Sequence, residues 1–179
     1  MGSFRTITSL CSTRLGASRL SRIAPRSLIR SVELYSALGF EYVHLRAAFS
    51  GSWYWAQWGF HYEDPGELKT IQSHAQEIID VFGGGLDAET LTHPLQFVRL
   101  GEPTEITFDE LCDALPKKRD AHEGIAHDNG LGLHDPVPFG RIVLLTGPSW
   151  YGRLDLTGAD RLIFDDRAGR VLAAAKGDG

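Results

Sequence analysis

Three histidines in the middle of the chain are the first residues whose types and spacing could support chemistry. His122-Glu123 is followed by His127-Asp128, and His134 lies a few residues further on. Zinc proteases place two histidines four residues apart on one face of a helix. Here the spacing is five residues, which turns the side chains about 140° apart on a regular helix. We therefore predict solvated loop histidines and no metal site, with a loop that gathers all three as the alternative.

The second candidate is an aromatic segment that begins at Gly51. It contains Trp53, Tyr54, Trp55, Trp58, Phe60 and Tyr62. Aromatic side chains at this density usually pack in a core. Core packing and a place in a binding site therefore both stay open for this segment.

Charge is distributed unevenly along the sequence. Residues 1–32 contain six arginines and no acidic residue, whereas the chain from Glu33 onward contains 23 acidic and 12 basic residues. Nucleic-acid binding requires a basic surface, so the main part of the chain is predicted not to bind nucleic acid. No apolar run approaches the roughly 20 residues of a membrane span, and none is predicted.

Residues 1–24 are rich in arginine and serine, and we expect them to form a basic leader or flexible arm. This composition is typical of a mitochondrial transit peptide, while a basic segment packed on an acidic domain is the alternative. Cys11 and Cys112 form no disulfide framework, which favours a reducing compartment. We expect a cytoplasmic protein, with a mitochondrial location as the alternative.

The helical and strand patterns become clear from Pro25 onward. Pro25 suits the first position of a helix, and Gly39 suits its left-handed C-terminal cap. Residues 41–49 then alternate between apolar and polar types, which predicts a strand. Its predicted core side is formed by Val43, Leu45, Ala47 and Phe49, and its opposite side by Tyr42, His44 and Arg46.

The strongest helix signal covers residues 65–82. Asp64 suits the N-cap, Pro65 the first helical position, and Glu67 the partner in a capping box. Glycines at 83–85 predict the end of the helix. The predicted apolar stripe consists of Leu68, Ile71, Ala75, Ile78 and Phe82.

Four weaker patterns follow. They predict a short helix near 108–115 capped by Thr107 and Glu110, an exposed loop over 117–138, a buried strand over 141–146, and a closing hairpin from strands 161–164 and 170–174.

Residues 26–60 resemble the C-terminal half of the GNAT-type acetyltransferase core. A helix, a Leu38-Gly39 turn, an alternating strand and an aromatic segment ending in Trp58-Gly59-Phe60 follow the order of motifs A and B of that family. The stretch from Trp53 to Phe60 is also similar to one in GNAT-like domains of bacterial and phage proteins. The segment Gly147-Pro148-Ser149-Trp150-Tyr151-Gly152 is similar to the end of those domains.

The resemblance implies acetyl-CoA as cofactor and a small-molecule or protein amine as acceptor. It implies that Arg19, Arg22 and Ala24 lie in a loop that binds the pyrophosphate at the start of the helix, with Arg22 where the family has glycine. Two further cofactor-binding residues, Leu45 and Ala47, would lie on the strand along the pantetheine arm. Tyr54 is the implied catalytic acid, one residue from the family's tyrosine position, which Trp55 occupies.

The sequence thus predicts an α/β fold with a GNAT-like mixed sheet and flanking helices. Its N-terminal half is incomplete, and the C-terminal part is elaborated. One domain is expected over residues 25–179, with a homodimer as an open alternative to a monomer. The expected function is an acyl-CoA-dependent N-acyltransferase or a degenerate relative, and the alternative is a non-catalytic interaction domain on the same scaffold.

Overall fold

The computed structural model describes residues 17–48, 50–82 and 85–177 and shows a mixed α/β architecture that is mostly helical. The described helices are α1 (Ala17–Ala37), α2 (Ser50–Ala56), α3 (Pro65–Phe82), α4 (Pro94–Val98), α5 (Phe108–Ala114), α6 (Arg119–Asp128), α7 (Phe139–Thr146) and α8 (Gly158–Gly177). The described strands are β1 (Tyr42–Ala47), β2 (His61–Tyr62), β3 (Glu105–Ile106), β4 (Val137–Pro138) and β5 (Trp150–Asp155).

The strands form two small sheets. One has the order β1-β5-β2, and the other pairs β3 with β4. Every pairing in the described ranges is antiparallel. The predicted mixed sheet is therefore wrong, and the described strands form two antiparallel sheets. No helix in those ranges combines the length and apolarity needed to cross a bilayer.

Helix α1 does not begin at Pro25, as predicted, but contains it. Proline removes one main-chain hydrogen bond from a helix interior, and here the helix continues on both sides of it. The predicted end of the helix is confirmed. Gly39 has φ +78°, and Phe40 N–H donates to the Tyr35 carbonyl at 3.0 Å. The Tyr35 and Phe40 rings then pack edge-on at 5.7 Å, which completes a Schellman-type cap.

The predicted strand is confirmed as β1, with Leu45 and Ala47 buried and Arg46 exposed. Val43 is half-buried, and Phe49 lies outside the described residues. Across the sheet, Leu45 faces Gly152. A Cβ at Gly152 would lie 2.7 Å from the Trp150 ring, so glycine allows this part of β5 to pack closely against the core.

Helix α3 has the predicted bounds, and Ile71, Ala75 and Ile78 of its stripe are buried. Its predicted capping box is wrong. Asp64 accepts the Gly66 N–H at 2.7 Å, but the Glu67 carboxylate accepts the Tyr151 N–H at 2.8 Å. Glu67 therefore connects α3 to β5 instead of closing the helix end.

The second predicted capping box is confirmed at the start of α5. The Thr107 hydroxyl accepts the Glu110 N–H, and the Glu110 carboxylate accepts the Thr107 N–H. Both bonds satisfy main-chain donors that the first turn leaves unpaired.

Three predictions in the C-terminal half are wrong. The exposed loop over 117–138 contains helix α6, and the predicted strand 141–146 lies within helix α7. The predicted hairpin is the continuous helix α8, in which Arg161 pairs with Asp165 one turn later at 2.8 Å. Helix α7 is buried on nearly all sides, so its sequence has too few polar positions to indicate a helical period.

One hydrophobic cluster extends from α1 to α8. Trp58 and Phe60 are at most 1% exposed, and Trp58 packs on Phe164 of α8 at 5.2 Å. Core packing is therefore confirmed for these two residues of the aromatic segment. The core lies behind one face of the β1-β5-β2 sheet and leaves the other face for polar side chains.

Candidate functional site

Polar and aromatic side chains cover the outer face of the β1-β5-β2 sheet. Antiparallel partners direct their side chains to the same face, and both His44 of β1 and His61 of β2 are paired with Arg153 of β5. An imidazole thus flanks the guanidinium on either side. The polar sheet face is defined here as Tyr42, His44, Arg46, His61, Glu63, Tyr151, Arg153 and Asp155.

His44 is held by a carboxylate from across the sheet. Its Nδ1 lies 2.7 Å from Glu63 Oε2, and its side chain is 23% exposed. A carboxylate can only accept, so Nδ1 carries the hydrogen and the neutral ring keeps its lone pair on Nε2. The Tyr42 ring packs edge-on against the imidazole at 4.7 Å. The hydrogen bond and the ring contact therefore fix the orientation of the imidazole.

Arg153 occupies the centre of the polar sheet face. Its Nε donates to Asp155 Oδ1 at 2.7 Å, and its guanidinium lies 4.1 Å from the centre of the Tyr42 ring. The hydrogen bond to Asp155 raises the pKa of Arg153 further. Beside it, the Arg46 guanidinium lies 5.8 Å from the centre of the Tyr151 ring. Both tyrosines of this face thus contact cations through their rings.

His61 and two aspartates form a compact group at one edge of the polar sheet face. His61 Nδ1 lies 2.6 Å from Asp160 Oδ2, in the first turn of α8, and this oxygen also accepts the Asp155 N–H at 3.3 Å. One ligand atom each of His61, Asp155 and Asp160 lies within 4.8 Å of the other two. All three residues are half-buried, so the group remains accessible from solvent.

The electrostatic balance around this face favours cations. Four carboxylates lie on it or at its border, whereas Arg46 and Arg153 supply two positive charges. Burial raises the pKa of Glu67. With neutral histidines the remaining charge is negative, which attracts amines and metal ions and repels phosphates. The four carboxylates are Glu63, Glu67, Asp155 and Asp160.

Three of the residues that the resemblance implies lie away from the polar sheet face. Leu45 and Ala47 face the core, and they are 6% and 0% exposed. Tyr54 is half-buried on α2, with its ring 4.9 Å from Trp55 and 6.0 Å from Trp58.

The three arginine-loop positions Arg19, Arg22 and Ala24 lie within helix α1 and not in a loop before it. Their side chains lie outside the described part of the structure, as does any phosphate contact that they would make.

The histidines of the protease-like motif do not converge. His122 is 3% exposed, whereas the His127 side chain is 90% and the His134 side chain 85% exposed. Both His122 and His127 belong to α6, so the five-residue spacing turns them apart. The prediction of solvated loop histidines is wrong for His122, which is buried on a helix. Burial lowers the pKa of His122, which lies near Lys118.

Sequence reasoning missed most of the polar sheet face because β5 was not assigned. The alternation from Trp150 to Asp155, with buried Trp150, Gly152 and Leu154, is a strand signal that could have identified it. The pairing of His61 with Asp160 had no comparable signal, since 99 residues separate them.

Comparison with protein-family models, curated proteins and solved structures finds no match to this chain. Two features bear on its function. The first is the order of α1, β1 and α2. The second is an acidic sheet face that carries two imidazoles, each bonded through Nδ1 to a carboxylate.

Proposed function

We propose that this chain is a degenerate relative of the GNAT-type acyltransferases that binds a cationic ligand on its polar sheet face. The ligand class is an amine, either a small polyamine or a lysine or arginine side chain of a partner protein. The observation that carries the proposal is the pair of carboxylate-bound histidines around Arg153 on an acidic face.

The order of the elements supports the relationship to GNAT proteins. Helix α1, the Gly39 cap, strand β1 and the aromatic helix α2 follow one another as the resemblance implies. Within the described residues β1 pairs on one side alone, with β5. The resemblance places the cofactor's pantetheine arm along this strand.

The cofactor's phosphates have no matching loop at residues 19–24. Those residues belong to α1, and N–H groups beyond the first turn of a helix are bonded to carbonyls of the same helix. The N–H groups of residues 21–24, beyond the first turn of α1, are therefore not free to surround a pyrophosphate. This mismatch favours a relative that keeps the scaffold and the amine-binding surface without the family's phosphate loop.

The amine proposal predicts measurable binding of spermidine. At low salt, calorimetry on the full chain should detect binding that weakens as salt screens the carboxylates. Glu63→Gln removes one accessible charge, and exposed charge pairs contribute up to about 1 kcal/mol, so affinity should fall by about threefold.

Glu105→Gln is the matched control for this experiment. It makes the same charge change at an exposed residue of β3, in the other sheet, and should leave the affinity unchanged. Absence of binding by the wild-type protein at low salt, or equal losses in the two variants, would contradict the proposal.

An active N-acyltransferase is the second candidate, favoured by the position of His44 on β1. A base there could take the proton of an acceptor amine at Nε2. Such an enzyme must bind acetyl-CoA, and tight binding must raise the melting temperature. Our proposal predicts no thermal shift with acetyl-CoA. A saturable shift that Arg22→Glu removes would instead establish the cofactor site and replace our proposal with the active enzyme.

A further inference from the structure

The group at the edge of the polar sheet face has the composition of a metal site. It offers one imidazole nitrogen and two carboxylate groups, contributed by three different elements. His61 belongs to β2, Asp155 ends β5, and Asp160 lies in the first turn of α8. We propose that His61, Asp155 and Asp160 bind a single divalent transition-metal ion.

The geometry suits an ion that is coordinated by the protein on one side. Ligand atoms of the three residues lie within 4.8 Å of one another, so one ion can contact all three after small side-chain movements. The half-buried position leaves the remaining coordination sites to water. Two carboxylates with one imidazole form a mixed oxygen and nitrogen set that suits Mn²⁺, Fe²⁺ or Zn²⁺.

The surroundings of the group hold one of its carboxylates in place. Arg153 donates to Asp155 at 2.7 Å, and the stacked Tyr42 ring fixes the guanidinium in turn. Carboxylate ligands in metal sites are commonly oriented by such hydrogen bonds. The Gly158 φ of +76° allows the turn that brings Asp160 back towards β2.

The bond between His61 and Asp160 has to change when the ion binds. At 2.6 Å the Nδ1 hydrogen occupies the space between the two ligand atoms. Coordination at Nδ1 moves that hydrogen to Nε2 of the neutral ring, or releases a proton from a protonated ring. The competing explanation is a metal-free hydrogen bond that only joins β2 to α8.

Titration of the tag-free full chain with Mn²⁺ tests the proposal. Electron paramagnetic resonance measures the loss of the free-ion signal, and one ion per chain should bind. His61→Gln removes the nitrogen ligand and should weaken binding by more than about tenfold. His127→Gln is the matched control, since it makes the same change at an exposed histidine of α6, and should retain wild-type affinity.

Asp155→Asn distinguishes a metal site from a hydrogen bond that only joins β2 to α8. It removes a ligand but leaves the bond between His61 and Asp160 intact, so it should weaken Mn²⁺ binding without unfolding the protein. No binding by the wild-type chain at about millimolar Mn²⁺, or equal affinity in His61→Gln and wild type, would overturn the proposal and leave the hydrogen bond as the explanation. Neither result decides whether spermidine binds, which Glu63→Gln and its control test separately.

Discussion

Single histidines determine how the stability of this protein depends on pH. His74 of α3 hydrogen-bonds to the Thr146 hydroxyl at 2.9 Å, and burial, with the nearby charge of Lys118, lowers its pKa to about 4. Burial also lowers the pKa values of His93 and His122. All three side chains are therefore neutral in the fold at neutral pH, whereas the unfolded chain takes up protons on them as the pH falls.

The sign of the pH effect follows from His74. The unfolded state binds its proton near pH 6.5 and the folded state near pH 4, so acid favours unfolding within that window. Between pH 7 and pH 4 this residue should remove about 3 kcal/mol from the free energy of unfolding. Denaturation at several pH values measures it.

Two variants test whether His74, and not an exposed histidine, causes this pH dependence of stability. His74→Gln keeps a hydrogen-bonding side chain without the titration, so its stability should depend less on pH. The slope of His127→Gln should match wild type, since that side chain is 90% exposed. A pH dependence that His74→Gln leaves unchanged would contradict the assignment.

At the scale of elements, the sequence predicted those helix ends that are determined by neighbouring residues. Asp64 and Pro65 marked the start of α3, Thr107 and Glu110 that of α5, and Gly39 the end of α1. Pro25 led to a wrong helix start, because α1 continues on both sides of it.

The predictions for the segments of α7 and α8 were wrong for different reasons. A short apolar run has the same composition in a buried helix and in a buried strand. The turn-like Asp165-Asp166 segment of α8 is stabilised by ion pairs with Arg161 and Arg170, each one turn away along the helix.

Two glycines in different elements should respond to alanine in opposite directions. Gly152 of β5 faces the Trp150 ring, and an added Cβ would lie 2.7 Å from it. Gly124 in α6 has open space around the same position. Gly152→Ala should therefore destabilise by about 1–3 kcal/mol, whereas Gly124→Ala should stabilise by up to about 1 kcal/mol. Urea denaturation compares them, and a stable Gly152→Ala protein would refute the packing described for β5.

At the scale of the molecule, the charge and part of the scaffold were predictable, but the site was not. The acidic character of residues 33–179 and the unit from α1 to β1 were predictable because each is local. The polar sheet face joins residues near 44, 61, 153 and 160, which meet only when β5 inserts between β1 and β2. No spacing along the chain encodes that insertion.

Binding of a cation on this face is the central claim, and chemical-shift mapping tests it most directly. Spermidine added to the ¹⁵N-labelled full chain at low salt should perturb amide signals of β1, β2 and β5, with the largest changes near His44, Glu63 and Arg153. Signals of α6 should remain in place, although that helix also carries exposed acids such as Asp128. Perturbations confined to α6, or spread evenly over all acidic surfaces, would contradict a specific cation site on the polar sheet face.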